Sequence, residues 1–455
     1  MYHGWMIYDI CIIGGGINGA GIARDAAGRG LKTLLLEKGD LASATSSNSS
    51  KMIHGGLRYL EFYEFGLVRK SLAERETLMR IAPQIVSPLR LCIPHRNAVR
   101  PAWMVRTGLF IYDHLTCMNV LPKSEMINLK SHVFGEALKN RDGIGFAYSD
   151  CYVDDARLVV LNAMDAYLHG ADIRTQTEVT RITPKDGMWN VHTPQQSFTA
   201  RVVVNAAGPY VRSLLEQNNL TDATTPKLRL VQGSHIVVPK LYEGDQSYLI
   251  QCPDKRVVFV WPYENNFTLV GTTETAISGN PANAKITDAE TEYLMGIVNA
   301  EFKKSISKSD IVWSYSGVRP LFEADEGEDN RKATRDYKLI LDTHSSAPIL
   351  NVFGGKLTTY RPLSEEVIDM LRPLFPNMGG AWTADAVLPF IDFEFVPDDK
   401  TITHFIRNEW ATCADDVLWR RTKWGLHMRS EQCATFKAQF DRIYAEVQHD
   451  KNIIN

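Results

Sequence analysis

The chain has 455 residues, of which 44% are hydrophobic and 23% are charged, and its formal net charge is −3. This length allows two hydrophobic cores, the composition is that of an ordinary globular protein, and the near-neutral charge predicts no nucleic acid partner. Seven scattered cysteines without a C-x-x-C pair argue against a disulfide framework and a tetrahedral metal site, so no metal is expected. The sequence shows neither a secretory signal pattern nor a run of about 18 apolar residues, so we expect no membrane-spanning segment.

The first predicted element is a strand, a glycine turn and an Ala-rich helix between residues 8 and 28. Gly14, Gly16 and Gly19 match G-x-G-x-x-G, whose glycines allow a tight turn, close approach of a pyrophosphate and close packing of the helix on the strand. The pyrophosphate would meet free N–H groups at the positive end of the helix. The next strand ends in Glu37, about 20 residues downstream and so placed for a ribose hydroxyl. The pattern predicts dinucleotide binding.

Two segments of unusual composition follow. Residues 41–51 are small and rich in hydroxyl groups, which is typical either of a flexible loop or of a loop that passes under a bound cofactor. The segment after it combines two glycines with His54, Arg58 and Tyr59, an odd mixture for a plain connector. Residues 66–79 then carry spaced leucines among charged side chains, and this pattern predicts a solvent-facing helix.

Residues 101–121 form the most apolar predicted helix of the chain. Trp103, Met104, Leu109 and Phe110 are among its apolar residues, and only a few basic residues lie nearby. Two interpretations stay open. The segment is either a buried helix or an interfacial helix that dips into lipid headgroups.

The doubly wound pattern resumes in the second part of the chain. It predicts a helix over residues 154–169, a strand over 173–182 and a buried strand over 201–208. Residues 210–347 are rich in strand runs, which we interpret as a mainly antiparallel sheet that forms a second layer over the cofactor. The clearest of these runs are residues 234–239, 257–262, 268–272 and 311–315. Residues 349–360 then return to the first domain as a strand, a glycine turn and the start of a helix.

This second glycine turn favours a flavin over a nicotinamide cofactor. An NAD enzyme of ordinary build needs only the first fingerprint, whereas a helix N-terminus directed at a flavin pyrimidine ring stabilises negative charge on the reduced form. Residues 205–208 would supply a third contact to the same extended cofactor. We therefore expect FAD.

Several cations and two histidines lie near these turns in the sequence. They are His54, Arg58, His235, Arg319, Arg335 and Lys356. Arginine forks pair bidentately with phosphate oxygens, and a histidine can accept a hydroxyl proton while hydride leaves the same carbon. The set suits a small phosphate ester with an oxidisable hydroxyl group. Taken singly, each arginine or histidine is equally well explained by a structural salt bridge or hydrogen bond.

Eight motifs, in order along the chain, carry a resemblance to a known family. They occupy residues 14–30, 50–61, 148–158, 232–239, 315–320, 334–337, 353–361 and 414–423. In these motifs the chain resembles the FAD-dependent glycerol-3-phosphate dehydrogenases of the aerobic, quinone-linked type. Since the motifs run from the first turn to about residue 425, the resemblance covers nearly the whole chain.

The resemblance implies an α/β fold in three parts. A glutathione-reductase-like FAD-binding domain is joined to a D-amino-acid-oxidase-like antiparallel-sheet substrate domain and a shortened helical C-terminal cap. The oxidoreductase core would span residues 1–388, and the cap residues 389–455. The FAD-binding parts would be residues 1–60, 150–210 and 348–388, and the substrate-binding parts residues 61–149 and 211–347. The cap counts as shortened because residues 388–397 lead almost directly to its Trp-Arg-Arg helix.

The implied reaction is the oxidation of sn-glycerol 3-phosphate to dihydroxyacetone phosphate, with hydride transfer to FAD and electrons passed to a membrane quinone. The resemblance places the protein in the cytoplasm, in peripheral contact with the inner face of the cell membrane, and leaves a homodimer open. Two alternatives remain: a glycerol-3-phosphate oxidase that uses oxygen, and a non-catalytic flavin-binding partner protein. The motifs separate the oxidase from the dehydrogenase poorly, because oxygen access depends on cavities.

Residue roles follow from the matching motifs. His235 would be the base, and which arginine holds the phosphate stays open. The catalytic set would be His235, Arg319, Arg58, Lys356 and His54, and the substrate pocket would be shaped by Tyr59 and Arg335. The residues expected to contact FAD are Gly14, Gly16, Ile17, Asn18, Gly19, Glu37, Lys38, Thr45, Ser46, Ser50, Lys51, His54, Gly55, Gly56, Val179, Ala207, Gly208, Gly354, Gly355, Lys356, Leu357 and Thr358.

Overall fold

The computed structural model describes residues 6–96, 100–116, 120–322, 337–343 and 347–454. The strands are β1 (Ile7–Ile13), β2 (Thr33–Leu36), β3 (Met52–Ile53), β4 (Val86–His95), β5 (Glu125–Asn128), β6 (Ile144–Val153), β7 (Asp172–Arg174), β8 (Arg181–Lys185), β9 (Met188–His192), β10 (Ser197–Asn205), β11 (Leu228–Pro239), β12 (Ser247–Gln251), β13 (Val257–Tyr263), β14 (Phe267–Gly271), β15 (Thr275–Ile277), β16 (Trp313–Phe322), β17 (Lys338–Asp342) and β18 (Ile349–Phe353). The helices are α1 (Ile17–Gly28), α2 (Phe65–Ile81), α3 (Ala102–His114), α4 (Asp155–Leu168), α5 (Val211–Gln217), α6 (Asp288–Glu301), α7 (Tyr360–Met370), α8 (Asp399–Asn408), α9 (Ala414–Asp416), α10 (Trp424–His427) and α11 (Ser430–Ile454).

The first sheet surrounds the glycine turn at the start of the chain. Its strand order is β17-β18-β10-β1-β2-β7, and β9 extends it beside β10 with β8 as its neighbour. The central strand β1 pairs in parallel with β2 and β10. Ile10, Cys11 and Ile12 are fully buried in it, as expected for a parallel strand that is covered on both faces. Helices α1, α4 and α7 share one core with this sheet, and the predicted doubly wound sheet is confirmed.

The second sheet is the predicted antiparallel layer. Its order is β15-β11-β14-β13-β12-β4-β6-β3, with β16 beside β11 and β5 beside β6. Among the pairings of the described residues in this sheet, only that of β12 with β4 is parallel. The four strand runs predicted between residues 234 and 315 correspond to β11, β13, β14 and β16, so this layer is also confirmed. Helix α6 packs on it around Leu294 and Val298, which are both fully buried.

The strand predicted over residues 173–182 is wrong. The structure has two short strands there, β7 at the edge of the first sheet and β8 in the antiparallel extension. Between them Gln176 adopts a φ of 51°, in the left-handed region, and this conformation interrupts a strand. The alternating sequence pattern of residues 173–182 continues through the turn between β7, which pairs with β2, and β8, which pairs with β9.

The solvent-facing helix predicted over residues 66–79 is wrong in its exposure. It forms α2, but Glu74, Arg75 and Glu76 in its charged stretch are buried. Arg361 donates to both carboxylate oxygens of Glu74, at 2.8 and 2.6 Å, and Arg75 pairs with Glu76 at 2.8 Å. The charged residues thus mark internal ion pairs, because each has a partner within the protein.

Two strands depart from the boundaries drawn on the sequence. β17 pairs with β18 in the first sheet, although residues 211–347 were assigned to the substrate-binding parts. β3 pairs with β6 in the second sheet, although residues 1–60 were assigned to the FAD-binding parts. The C-terminal segment has a small core of its own between α8 and α11, built around Phe405, Phe436 and Phe440.

Helix α3, predicted as either buried or interfacial, has one buried face and one exposed face. Leu109 and Tyr112 are buried against the second sheet. On the other side Trp103 is 70% exposed, Phe110 55% and Met104 40%. Within the described ranges, no helix is long and apolar enough to cross a bilayer.

Candidate active site

The first glycine turn presents the N-terminus of α1 without a side-chain cap. The N-cap residue is Gly16, and the first turn of the helix contains no acidic residue. Gly14 has a φ of 112°, and a Cβ there would lie 2.6 Å from the carbonyl oxygen of Ala206. A Cβ on Gly19 would lie 1.8 Å from the carbonyl oxygen of Gly14. The turn is therefore restricted to glycine, and the helix N-terminus suits a pyrophosphate.

Two residues that follow β2 lie beside this turn. The carboxylate of Glu37 accepts hydrogen bonds from the N–H groups of Gly15, at 2.6 Å, and Gly39, at 2.8 Å. Burial raises its pKa, while these two bonds oppose the shift. The ammonium of Lys38 lies 3.7 Å from the ring centre of Tyr210. Glu37 has the position that the fingerprint requires for a ribose contact.

The second glycine turn meets the first one directly. Gly354 and Gly355 follow β18 with φ values of 77° and 105°. The Asn18 side chain donates a hydrogen bond of 3.1 Å to the carbonyl oxygen of Gly354. The backbone N–H of His54 donates to the hydroxyl of Thr358, at 3.4 Å. Segments far apart in sequence thus converge on one site, as an extended cofactor requires.

The hydroxyl-rich loop of residues 41–51 is bound to its surroundings at several points. Ser46 accepts a 3.0 Å hydrogen bond from the N–H of Ile17 in α1, and Thr45 donates to the carbonyl oxygen of Val318 at 2.7 Å. Lys51, predicted to contact FAD, is buried, and its ammonium donates to Asp155 at 2.7 Å. Its backbone N–H donates to the hydroxyl of Ser49, at 2.9 Å, and its carbonyl oxygen accepts from the N–H of Val153, at 3.0 Å, so these polar groups of Lys51 are already bound within the protein.

The other predicted cofactor contacts lie at the edges of the same region. Ala207 and Gly208 directly follow β10, next to the first glycine turn, and Gly208 has a φ of 56°. Leu357 and Thr358 begin the short turn of helix before α7. Val179 is partly buried against the core on the opposite side of the first sheet.

A cavity of about 820 Å³ opens in front of the second sheet. Six predicted site residues line it, namely Ser50, His54, Gly56, Arg58, Tyr59 and Arg319. Thr272 also lines the cavity. The structure therefore brings residues of the first 60 positions together with the end of β16. Arg335, the other predicted pocket residue, lies outside the described residues.

His235 lies directly behind this wall. It is 2% exposed, and its Nε2 is 3.0 Å from the hydroxyl of Ser50. Its ring stacks on Tyr315 with centroids 4.8 Å apart, and Gly271 leaves room for it, since a Cβ there would lie 2.1 Å from the imidazole. Burial lowers the pKa of His235 well below 6.5, and Arg319 lowers it further. The imidazole is therefore neutral at physiological pH and can accept a proton.

Two cations complete the site. The guanidinium of Arg319 lies over Gly233, where a Cβ would come within 2.4 Å of it, and it donates to Thr272 at 3.4 Å. The ammonium of Lys356 lies 4.2 Å from the ring centre of Tyr59. This ammonium is buried and has no hydrogen-bond partner among the described residues. A buried cation without a protein acceptor fits a site that receives an electron-rich ligand.

The outer part of the cavity was not predicted. It is lined by Arg100, Arg229, Lys255 and Arg256 together with apolar side chains such as Trp103 and Phe259. One signal in the sequence could have identified Arg229. It precedes His235 by six positions in β11, and since side chains alternate along a strand, the two share one face. The other basic residues lie in connections whose position depends on the fold.

The comparisons with known proteins agree with this site. The model of the FAD dependent oxidoreductase family matches residues 9–361. A glycerol-3-phosphate dehydrogenase of Pseudomonas aeruginosa is 44% identical over 483 aligned positions, which cover 94% of this chain and 93% of that protein. The aerobic glycerol-3-phosphate dehydrogenase of Escherichia coli is 42% identical over 93% of this chain and 95% of its own length. A D-erythritol 1-phosphate dehydrogenase of Brucella abortus is 43% identical over 95% and 97%.

A solved structure supports the fold. The glycerol-3-phosphate dehydrogenase of Bacillus halodurans, in complex with FAD, matches with a TM-score of 0.70 and 22% identity over 98% of this chain and 95% of its own. The alignment with the Pseudomonas aeruginosa protein has more positions than this chain has residues, so that relative has segments without a counterpart here.

The glycine turns, the cavity and these similarities identify the same group of proteins. FAD is the cofactor for which the two turns are built, and the chain is an enzyme. It belongs to the FAD-dependent oxidoreductases and, within them, to the family of the bacterial glycerol-3-phosphate dehydrogenases.

Proposed function

We propose that this protein oxidises sn-glycerol 3-phosphate to dihydroxyacetone phosphate. The observation that carries the proposal is the inner end of the cavity, where Arg58 and Arg319 line the wall in front of His235. Two guanidinium groups suit a phosphate dianion, because each can form paired hydrogen bonds with its oxygens. Relatives named glycerol-3-phosphate dehydrogenase support the same substrate.

The roles of the residues follow from their surroundings. FAD, when bound, supplies the acceptor for the hydride. Arg58 and Arg319 bind the phosphate and orient the carbon chain. Ser50 lines the cavity and its hydroxyl lies 3.0 Å from Nε2 of His235, so the substrate proton reaches His235 through Ser50, and the lowered pKa of His235 keeps it neutral beforehand. The buried ammonium of Lys356 stabilises negative charge that develops on a substrate oxygen.

A longer polyol phosphate is a second candidate substrate. Glycerol 3-phosphate has ten non-hydrogen atoms, and the cavity of about 820 Å³ is larger than such a ligand needs. The similarity to the Brucella abortus enzyme named for D-erythritol 1-phosphate favours the same possibility. The ratio of kcat/KM for the three-carbon and four-carbon phosphates decides between them. A ratio above ten in favour of glycerol 3-phosphate supports our assignment, and the reverse ratio replaces it.

The electron acceptor that we propose is a quinone in the cytoplasmic membrane, reached by peripheral contact from the inner face. The exposed side of α3 supports this, since Trp103 and Met104 line the same cavity and Phe110 on the same helix is exposed as well. A two-electron carrier that lives in lipid would thus meet the flavin close to the membrane surface.

The membrane contact is tested with vesicles that contain anionic lipid. The double variant Trp103→Asp with Phe110→Asp should sediment with vesicles at least tenfold less than the wild type and keep its flavin absorption. Leu168→Asp is the matched control, because Leu168 is 68% exposed at the end of another helix and its variant should bind normally. Equal binding by all three proteins would move the contact to another surface. A lack of binding by the wild type would remove it.

The reaction is tested under anaerobic conditions. Mixing the purified holoenzyme with sn-glycerol 3-phosphate should bleach the flavin absorption band at about 450 nm, whereas glycerol should not. Reoxidation by a soluble quinone analogue much faster than by oxygen distinguishes the dehydrogenase from an oxidase. A flavin that stays oxidised with every polyol phosphate would overturn the proposal in favour of a non-catalytic flavin protein.

A further inference from the structure

The turn that carries His54 and Arg58 is held from behind by buried polar groups. Between these two residues, the N–H of Gly55 donates to the hydroxyl of Tyr112, at 2.8 Å, and to the carboxylate of Asp150, at 3.4 Å. The Tyr112 hydroxyl in turn donates to the same carboxylate oxygen at 2.7 Å. Tyr112 and Asp150 are each 2% exposed. The contact therefore forms inside the protein, directly beside the cavity that Asp150 helps to line.

This support is itself fixed by a third element. Arg75 of α2 donates to Asp150 at 3.2 Å and to the carbonyl oxygen of Ser149 at 2.8 Å. Asp150 lies on β6 and Tyr112 on α3, so three elements meet at the one carboxylate. Gly55 can approach so closely only because it has no side chain. A Cβ there would lie 2.5 Å from Leu72 and 2.7 Å from the Tyr112 hydroxyl.

The backbone on either side of Gly55 leads directly to the cavity. On one side the N–H of His54 is bound to Thr358, next to the second glycine turn. On the other side Gly56 has a left-handed backbone, with a φ of 77°, and begins the short helical turn that presents Arg58 and Tyr59. A displacement of Gly55 would therefore move His54 and Arg58 together. Asp150 reaches the cavity lining, whereas Tyr112 does not, so the influence of Tyr112 on a ligand passes through this turn and through Asp150.

We propose that Tyr112 and Asp150 are positioning residues that hold the turn of residues 54–58 in the orientation that binds the phosphate substrate, an inference that rests on the proposed function. Because Tyr112 belongs to α3, the packing of this helix on the second sheet is coupled to substrate affinity. Hydrogen bonds that fix a binding group in place raise affinity by reducing the freedom lost when the ligand binds.

The variant Tyr112→Phe removes one hydroxyl and keeps the ring. Loss of a buried hydrogen bond to a carboxylate should raise the apparent Kd for glycerol 3-phosphate in anaerobic flavin reduction about tenfold. The limiting rate of reduction should stay within about threefold, because His235 and Lys356 are untouched. Asp150→Asn should shift the Kd in the same direction and by more, since it also removes the charge opposite Arg75. FAD content and absorption spectrum should remain those of the wild type.

The matched control is Tyr242→Phe. Tyr242 is buried in the hydrophobic cluster between the second sheet and α6, and its hydroxyl donates to the carbonyl oxygen of Gln246 at 2.8 Å. This variant also loses one buried tyrosine hydrogen bond and should keep the wild-type Kd. A lowered melting temperature in both variants with an unchanged Kd in Tyr112→Phe would reduce Tyr112 to a structural role and overturn the proposal.

A second readout separates this proposal from the proposed function. Inorganic phosphate, titrated into the holoenzyme, should perturb the flavin spectrum, and Tyr112→Phe should weaken its binding about tenfold. If glycerol 3-phosphate fails to reduce the wild type but phosphate binding weakens in the variant, the substrate assignment fails and the positioning role stands. If phosphate binds equally to both proteins, the positioning role is wrong.

Discussion

Buried charges have different surroundings in two regions of the molecule: the contact between the cap (residues 389–455) and the core, and the wall of the cavity. At the cap, Arg421 donates to both carboxylate oxygens of Asp40, each at 2.7 Å, and Arg157 pairs with Glu409. At the cavity, the Lys356 ammonium is buried without an acceptor among the described residues. The cap compensates these buried charges with carboxylates, whereas the Lys356 ammonium has only the ring of Tyr59 beside it among the described residues.

This difference in charge pairing predicts that the two regions contribute differently to the stability of the fold. An internal ion pair with complete hydrogen bonding is costly to break, because the remaining partner is left buried and unpaired. A buried cation without a partner destabilises the folded protein until a ligand arrives. The cap should therefore respond to mutation through stability, and the cavity through ligand binding and rate.

The largest effect is expected at the cap. Arg421→Met removes both of its hydrogen bonds to the buried Asp40, which keeps only Arg420 at 2.6 Å, and it also removes a cation beside the buried Glu409. The free energy of unfolding should fall by about 3 kcal/mol. Chemical denaturation of the holoenzyme measures this. The control Arg407→Met breaks an exposed pair with Asp450 and should cost at most about 1 kcal/mol. Equal losses in the two variants would contradict the contrast between the two regions.

The cavity should show the reverse response. Arg319→Ala should reduce the rate of anaerobic flavin reduction at low substrate by at least about 100-fold, since our proposed function assigns Arg319 a charge-assisted contact to the phosphate. FAD should stay bound and the melting temperature should change little. Arg212→Ala removes a guanidinium from an exposed pair with Glu216 and should react normally. Normal turnover by Arg319→Ala would show that the substrate binds elsewhere.

The stability of the cap should also depend on pH, through the buried carboxyl of Glu409. Burial raises the pKa of Glu409, but Arg157, His404 and Arg421 outweigh burial and lower it to about 2 from an ordinary 4.5. A carboxyl with a lowered pKa in the folded state contributes stability above its unfolded pKa and loses it as the pH falls. At about 1.36 kcal/mol per pKa unit, the contribution is roughly 3 kcal/mol.

Glu409→Gln removes this titration. Denaturation of wild type and variant between about pH 7 and pH 2.5 should show a difference in unfolding free energy that is constant above about pH 4.5 and shrinks below it. A difference independent of pH would show that Glu409 acts through packing and not through its charge.

The smallest effect should appear at Lys356. Replacing its unpartnered ammonium by the apolar side chain in Lys356→Met should stabilise the flavin-free protein, or leave it unchanged, within about 1 kcal/mol. The same variant should slow anaerobic flavin reduction, because it removes a cation beside the reacting atoms. Thermal unfolding of the flavin-free protein measures the first effect. A clear loss of stability would mean that the ammonium is compensated after all.

The first glycine turn could be predicted because its information is local. Gly14, Gly16 and Gly19 fix the conformation of a few neighbouring residues, and the surrounding strand and helix repeat a familiar spacing. The cap interface could not be predicted, since Asp40 and Arg421 meet across 381 positions and neither is unusual in its local sequence. Charge identity was also misleading, because buried pairs and solvated surfaces use the same residue types.

The candidate site shows the same division between local and distant information. His54, Arg58 and Tyr59 stood out because they follow one another beside two glycines. The lining of the outer cavity depends on the connection between β12 and β13 and on the packing position of α3. No local sequence pattern specifies either of them. The hydrogen bonds from the N–H of Gly55 to Tyr112 and Asp150 could not be predicted either, because these residues are distant in the sequence.

The hydrogen bond from Asn18 to Gly354 spans 336 positions and has a consequence for the order of events during synthesis. A ribosome makes the first glycine turn early, but its partner turn leaves the exit tunnel only when most of the chain has been translated. The emerging polypeptide therefore cannot hold its flavin firmly until Gly354 has been translated and has left the ribosome. Products of premature termination before Gly354 should emerge colourless, so the yellow colour itself reports that translation has passed this residue.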